Sequence, residues 1–158
     1  MFHLSYILGE HGWATARFGD GHAEIQTSVS NLSDALGDMA RAARYILKGA
    51  TDASFSFMDE PGEHRFLISR REDRVEIRVY EFPEPFARTM NNAPIVLKAE
   101  ASLRAFTNEC INVLRHVLDA HGEAGYRERW KRHAFPMAEY RELLDLRRNT
   151  LGERQMPP

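Results

Sequence analysis

The stretch 54–82 constrains the fold most, because its apolar residues alternate with polar ones along almost its whole length. Phe55 and Phe57 begin the alternation, and Phe66 and Ile68 continue it with the same spacing of two. A period of two between turn signals is typical of strands that bury one face. The stretch therefore predicts three consecutive strands that share one apolar face.

Two charged turns divide this stretch into its strands. The first turn, Asp59–Glu63, has Pro and Gly at its centre, and the second is Arg71–Arg74. Strands joined by such short turns are antiparallel, and the chain reverses direction at each turn. We therefore expect the first turn to lie at the same end of the sheet as Glu81 and Glu84, which close the third strand. That end would be acidic, and the arginine-rich turn would lie at the opposite end.

The rest of the chain shows further strand and helix patterns. Strands are predicted at 2–8, 13–18, 22–29 and 95–101, and helices at 30–49, 102–122, 123–132 and 137–148. Ser30 or Ser33 is the expected cap of the first helix, and Gly122 is the expected stop of the second. The pattern predicts an α+β fold: a single, mostly antiparallel sheet, with two long helices packed on one face and short C-terminal helices.

Length and composition indicate one domain with an ordinary core. The chain has 158 residues and a formal net charge of −2, so no strong field attracts nucleic acid or an anionic membrane. We predict a single domain over 1–150 and a disordered tail over 151–158. Cys110 is the single cysteine, and the N-terminus lacks the basic and apolar regions of a signal peptide. These features predict a cytoplasmic protein.

Motifs of catalysis and cofactor binding are absent from the sequence. The seven histidines show no metal-ligand spacing and are interpreted as solvated or capping residues. Cys110 lies on the apolar stripe of its helix, which predicts a buried, unreactive thiol. Tyr126 and Trp130 are four residues apart, so they should pack on the core rather than stack on nucleic-acid bases. We predict no catalytic residue, no cofactor and no metal.

Several short runs carry a resemblance to a known family: Gly12–Ala14, Asp20–Glu24, Val29–Asp38, Asp59–Glu63 and Gly125–Trp130. With these runs, which span nearly the whole chain, the protein resembles a family of small uncharacterised bacterial proteins common in actinobacteria. The resemblance concerns caps, turns and packing positions. It implies a bacterial protein and no particular activity.

The favoured hypothesis for function is a non-enzymatic protein-binding module, similar at the level of fold to immunity proteins that neutralise bacterial toxins. Its partner would be a basic protein, and neither nucleic acid nor membrane is expected. The predicted binding residues are the acids of the sheet end and an aromatic residue of the following loop: Asp59, Glu60, Glu63, Glu81, Glu84 and Phe86. The alternative is a small enzyme or ligand-binding protein with a pocket between sheet and helices, lined by Trp13, Tyr6 and Tyr80.

Overall fold

The structure is a computed structural model that describes residues 1–85 and 93–152. These residues form seven strands and three helices. In chain order they are β1 (His3–Leu8), β2 (Trp13–Gly19), β3 (Glu24–Ser30), α1 (Ala35–Leu47), β4 (Asp52–Met58), β5 (Glu63–Arg71), β6 (Arg74–Phe82), β7 (Ile95–Ser102), α2 (Leu103–Trp130) and α3 (Met137–Leu151).

The strands form two antiparallel sheets rather than one. The first sheet has the order β1-β2-β3, and the second has the order β4-β5-β6-β7. The α+β class and the predicted meander, which is β4-β5-β6, are confirmed. The single sheet with two long helices on one face is wrong.

The two sheets turn their apolar faces toward each other. Phe18 of β2 meets Phe66 of β5 edge-on, with ring centroids 4.9 Å apart, and Tyr6 of β1 lies 5.9 Å from Phe57 of β4. The first sheet therefore covers part of the apolar face that the sequence pattern assigns to helices. Alternation in a sequence shows that a strand has a buried face, but it does not show which element covers that face.

The helices differ in length, and only α2, with 28 residues, is long. α1 has 13 residues, and its cap is Asp34 rather than Ser30 or Ser33, because the Asp34 carboxylate accepts a hydrogen bond from the amide of Gly37 at 3.3 Å. At Gly122 the backbone leaves the helical region (φ 67°, ψ 175°), so the break that the sequence predicts there is present inside α2.

The core assignments of α2 are confirmed. Cys110 is completely buried, and burial raises the pKa of its thiol far above the usual range. Tyr126 and Trp130 are also fully buried, as their spacing predicts. No described helix has the length and apolar character that crossing a membrane requires. α3 ends at Leu151, and residues 153–158 of the predicted tail lie outside the described residues.

Candidate functional site

The turn between β4 and β5 brings the predicted acids to one end of the second sheet. The amide of Asp59 donates to the carbonyl of Gly62 at 3.0 Å, which closes the turn. A Cβ at Gly62 would lie 2.8 Å from the carbonyl oxygen of Phe82, so the turn requires glycine at this point. Because Glu63 pairs with Phe82, Glu84 follows at the same end. The predicted placement of the turn beside Glu81 and Glu84 is confirmed.

The five acids at this end do not share one environment. Glu63 is 1% exposed, and its carboxylate accepts hydrogen bonds from Ser56 Oγ at 2.6 Å and Arg65 Nε at 2.8 Å. Its side chain lies on the face of the second sheet that points away from the first sheet. Glu63 is therefore held inside the protein, whereas Glu60 and Glu84 are exposed.

Asp59 and Glu81 flank a histidine that the sequence interpretation treated as solvated or capping. His64 is buried, with Nδ1 3.4 Å from Asp59 Oδ2 and Nε2 3.6 Å from Glu81 Oε2. Its ring lies edge-on to Phe18, with centroids 5.7 Å apart. The solvated interpretation is wrong for His64. The signal was available, because His64 has the same parity as Phe66 and so lies on the apolar face of β5.

The remaining acids form what we call the acidic end: Asp59, Glu60, Glu81 and Glu84. Within residues 1–85 and 93–152, no lysine or arginine lies within ion-pair distance of any of them. Asp59 is about one quarter exposed and Glu81 about half exposed, so this end presents negative charge to solvent. Phe86, the predicted apolar contact, lies outside the described residues.

A groove lies beside the acidic end, between α1 and the outer edge of β4. This β4 groove encloses about 510 Å³ and is lined by three sets of residues. Those of α1 and the loop before it are Ser33, Asp38, Arg41, Ala42 and Tyr45. Those of β4 are Asp52, Ala53, Ser54, Phe55, Ser56 and Met58, and those of β5 are Glu63 and Arg65.

The β4 groove joins a charged wall to a polar edge. Arg41 is held in the α1 wall by Asp34 at 2.9 Å, Asp38 at 2.8 Å and Glu139 at 3.3 Å. Partial burial lowers the pKa of the Arg41 guanidinium, but its hydrogen bonds to Asp34 and Asp38 and the charge of these two carboxylates outweigh that effect and raise the pKa. Tyr45 is about half exposed on the same wall. The sequence interpretation missed this groove because it depends on how α1 packs against β4.

The three aromatic residues of the alternative pocket lie on different surfaces. Tyr6 is buried between the sheets, and burial raises the pKa of its hydroxyl. Tyr80 pairs with Arg65 and shares its face of the second sheet, which points away from the first. Trp13 is partly exposed at the start of β2. The three rings therefore do not line a common pocket in this structure.

Metal ligands do not gather in the described part of the chain, where no three histidine, cysteine, aspartate or glutamate side chains are placed to hold an ion.

Comparison with known proteins adds a structural likeness only. No protein-family model matches the chain, and neither does any curated protein sequence. One similar solved structure is a chain from the "CdiA-CT/CdiI toxin and immunity complex from Enterobacter cloacae", with 9% sequence identity and a TM-score of 0.47. The match covers 73% of this chain and 99% of that chain. At this identity and TM-score the likeness carries no argument about function.

Proposed function

We propose that this protein is a protein-binding module that receives a basic partner at the acidic end. The observation that carries the proposal is the set of four carboxylates, Asp59, Glu60, Glu81 and Glu84, gathered at one end of the sheet with no described lysine or arginine in ion-pair distance. Like charges held together repel one another, so the arrangement is unfavourable for the isolated domain. A basic partner would relieve that repulsion and would be steered toward this end during encounter.

Three finer predictions belong to this proposal. The first is a role like that of toxin-neutralising immunity proteins, the second is a cytoplasmic location, and the third is membership of the family of small bacterial proteins. All three rest on the sequence interpretation. The first has a direct test, because a captured partner would then be a basic toxin domain. A captured partner of another class would contradict the immunity role but would still agree with a protein-binding module.

The proposal is tested by capturing partners from the native host and measuring their association. The immobilised chain is incubated with host lysate, and retained proteins are identified by mass spectrometry. Association with the captured partner is then compared for the wild type and for the variant Glu60→Gln/Glu81→Gln/Glu84→Gln. We expect the variant to associate more slowly at low salt and to lose much of the salt dependence of its association rate, because exposed charges act mainly on encounter.

A matched variant controls for the change in net charge. Asp119, Glu123 and Glu128 are exposed acids of α2, and their neutralisation changes the total charge by the same amount. The α2 variant should keep the association rate of the wild type. Equal slowing by both variants would show that total charge, rather than the acidic end, guides the partner, and unchanged association of the first variant would contradict the proposal.

A further inference from the structure

β4 is an edge strand, and the hydrogen bonds at its ends show which of its backbone groups face outward. The amide of Arg70 donates to the carbonyl of Thr51, and the amide of Asp59 donates to the carbonyl of Gly62. In an antiparallel pair the residues that bond to the partner strand alternate with those that face away. Odd-numbered residues of β4 therefore bond to β5. The amides and carbonyls of Ser54 and Ser56 point toward the free edge.

The protein satisfies some edge groups on its other strands with groups of its own. On β1, the outward amide of Leu4 donates to Glu109 Oε2 of α2 at 2.8 Å. On β7, the outward carbonyl of Glu100 accepts from the N-terminal ammonium group at 2.9 Å. Within the described residues, the backbone groups of Ser54 and Ser56 have no such partner. The edge of β4 thus leaves donors and acceptors available, spaced as in a strand.

We propose that the β4 groove binds an extended segment of a partner protein, which adds to the second sheet as a strand beside β4. The open edge selects an extended backbone, because only a strand matches donors and acceptors at every second residue. The groove between this edge and α1 provides space for the side chains of the added strand.

The walls of the groove predict the side chains of that segment. One set of alternating residues would face the α1 wall, where Ala42 and Tyr45 lie beside the charged Asp38 and Arg41, which favours side chains with an apolar body and a polar end. The other set would face Ser54, Ser56 and Arg65, which favours small polar ones.

The charge near the end of β4 predicts where the basic residues of the segment lie. β4 ends at Met58, and the chain then enters the acidic end at Asp59 and Glu60. A segment that extends past Met58 would place lysine or arginine beside these carboxylates. This last feature rests on the proposed function, whereas strand addition does not.

A displayed library of random peptides long enough to span β4 provides the probe. The library is selected on the immobilised full chain, and the best peptide is synthesised and its affinity measured by fluorescence anisotropy. Ser54→Pro removes an amide that faces the free edge and leaves the β5 ladder intact, so we expect it to weaken binding about tenfold or more.

Ser28 of β3 provides the matched control. It is exposed on β3, which is also an edge strand, and the bond from the Asn31 amide to the Gly12 carbonyl makes the even-numbered residues of β3 face outward. The Ser28 carbonyl accepts a hydrogen bond from Thr27 Oγ1 at 3.2 Å, whereas its amide has no partner among the described residues. Ser28→Pro should leave the affinity unchanged. Loss of binding in Ser28→Pro with retention in Ser54→Pro would overturn the assignment to β4, and so would equal affinity in both variants and the wild type.

Two further measurements use the wild-type chain, so they test the inference even if Ser54→Pro does not fold. Two versions of the peptide are made, with N-methyl groups on the odd-numbered or on the even-numbered backbone amides. One version should lose its binding to the wild-type chain, because its methyl groups lie on the edge that pairs with β4. Hydrogen exchange at the amides of Ser54 and Ser56 should slow in the complex. Normal binding by both N-methylated versions, unchanged exchange at both amides, or a library that yields no binder would overturn the inference.

The outcomes also separate this inference from the proposed function. If Ser54→Pro binds the selected peptide with normal affinity while Glu60→Gln/Glu81→Gln/Glu84→Gln associates more slowly with the captured partner, strand addition is wrong and the proposed role of the acidic end stands. If Ser54→Pro loses the selected peptide while the triple variant associates with the captured partner at the wild-type rate, strand addition stands and the proposed role of the acidic end is wrong. A wild-type chain that sediments as a dimer, with a monomeric Ser54→Pro, would make a second copy of this chain the occupant and overturn the choice of a partner segment.

Discussion

The two ends of the second sheet are both rich in charge, but they use it differently. At the basic end, Arg70 Nη1 donates to the carbonyl of Ile46 at 2.6 Å, and Arg70 Nε donates to the carbonyl of Glu72 at 2.7 Å. At the acidic end, the exposed carboxylates of Glu60 and Glu84 make no described ion pair. The comparison teaches that a charged turn becomes structural when its side chains reach backbone carbonyls, such as those at the end of α1.

Arg70 shows how a side chain of the basic end forms hydrogen bonds within the protein. The last carbonyls of a helix have no partner within the helix, and basic side chains commonly satisfy them. Arg70 extends from β5 to the last turn of α1 and so joins the sheet to the helix. Glu63 is the exception at the acidic end, because it is buried and bonded to Ser56 and Arg65.

The largest expected effect concerns this exception. Glu63→Ala removes the acceptor of two buried or partly buried donors, and we expect the free energy of unfolding to fall by about 3 kcal/mol. Urea denaturation measures the change. Glu84→Ala, at an exposed position of the same end, should change stability by less than about 0.5 kcal/mol. Equal effects of the two substitutions would show that the acidic end is not divided as the structure indicates.

The next effect tests the basic end. Arg70→Met keeps most of the apolar side chain but removes the charged donors to the end of α1, and should cost about 2 kcal/mol in urea denaturation. The matched control is Arg71→Met, since Arg71 is exposed in the same turn and should be within about 0.5 kcal/mol of the wild type. If the Arg70→Met protein is as stable as the control, the basic end does not have the structural role assigned to it.

A smaller effect compares a paired carboxylate elsewhere with those of the acidic end. Hydrogen bonds from Lys48 and Arg44 lower the pKa of Glu142 below its usual value of 4.5. Its ion pairs therefore stabilise the fold above pH 4.5, and this contribution is lost as the pH falls through the lowered value. Because these pairs are partly exposed, the contribution is about 0.5 kcal/mol.

The measurement is the difference in stability between the wild type and Glu142→Gln as a function of pH. The difference should be present at neutral pH and should shrink in acid, where the wild-type carboxyl is also neutral. A difference that stayed constant below pH 4.5 would contradict the role of ionisation at Glu142.

The smallest effect is expected from neutralising the acidic end itself. Glu60→Gln/Glu81→Gln/Glu84→Gln should change the free energy of unfolding by less than about 0.5 kcal/mol, with slight stabilisation at low salt because repulsion is relieved. Thermal unfolding at low and high salt provides the measurement. A loss above about 1 kcal/mol would show that these carboxylates have structural partners and would bring the two ends of the sheet closer in character.

Local features of the sequence determined several parts of this protein. The meander, the shared position of Glu63 and Glu81, the helix break at Gly122 and the burial of Cys110 all follow from periodicity and turn chemistry. These signals act over a few residues, so no knowledge of distant contacts is needed to read them.

Tertiary structure alone decided how the strands divide into two sheets, and with them the surroundings of Glu63 and His64. Phe18 and Phe66 could each have packed on a helix; that they pack on each other depends on contacts between residues far apart in the chain. The β4 groove likewise exists only because α1 packs beside the free edge of β4. An alternating pattern marks an apolar face equally well for a sheet or a helix to cover, so the choice depends on how all the faces are buried together.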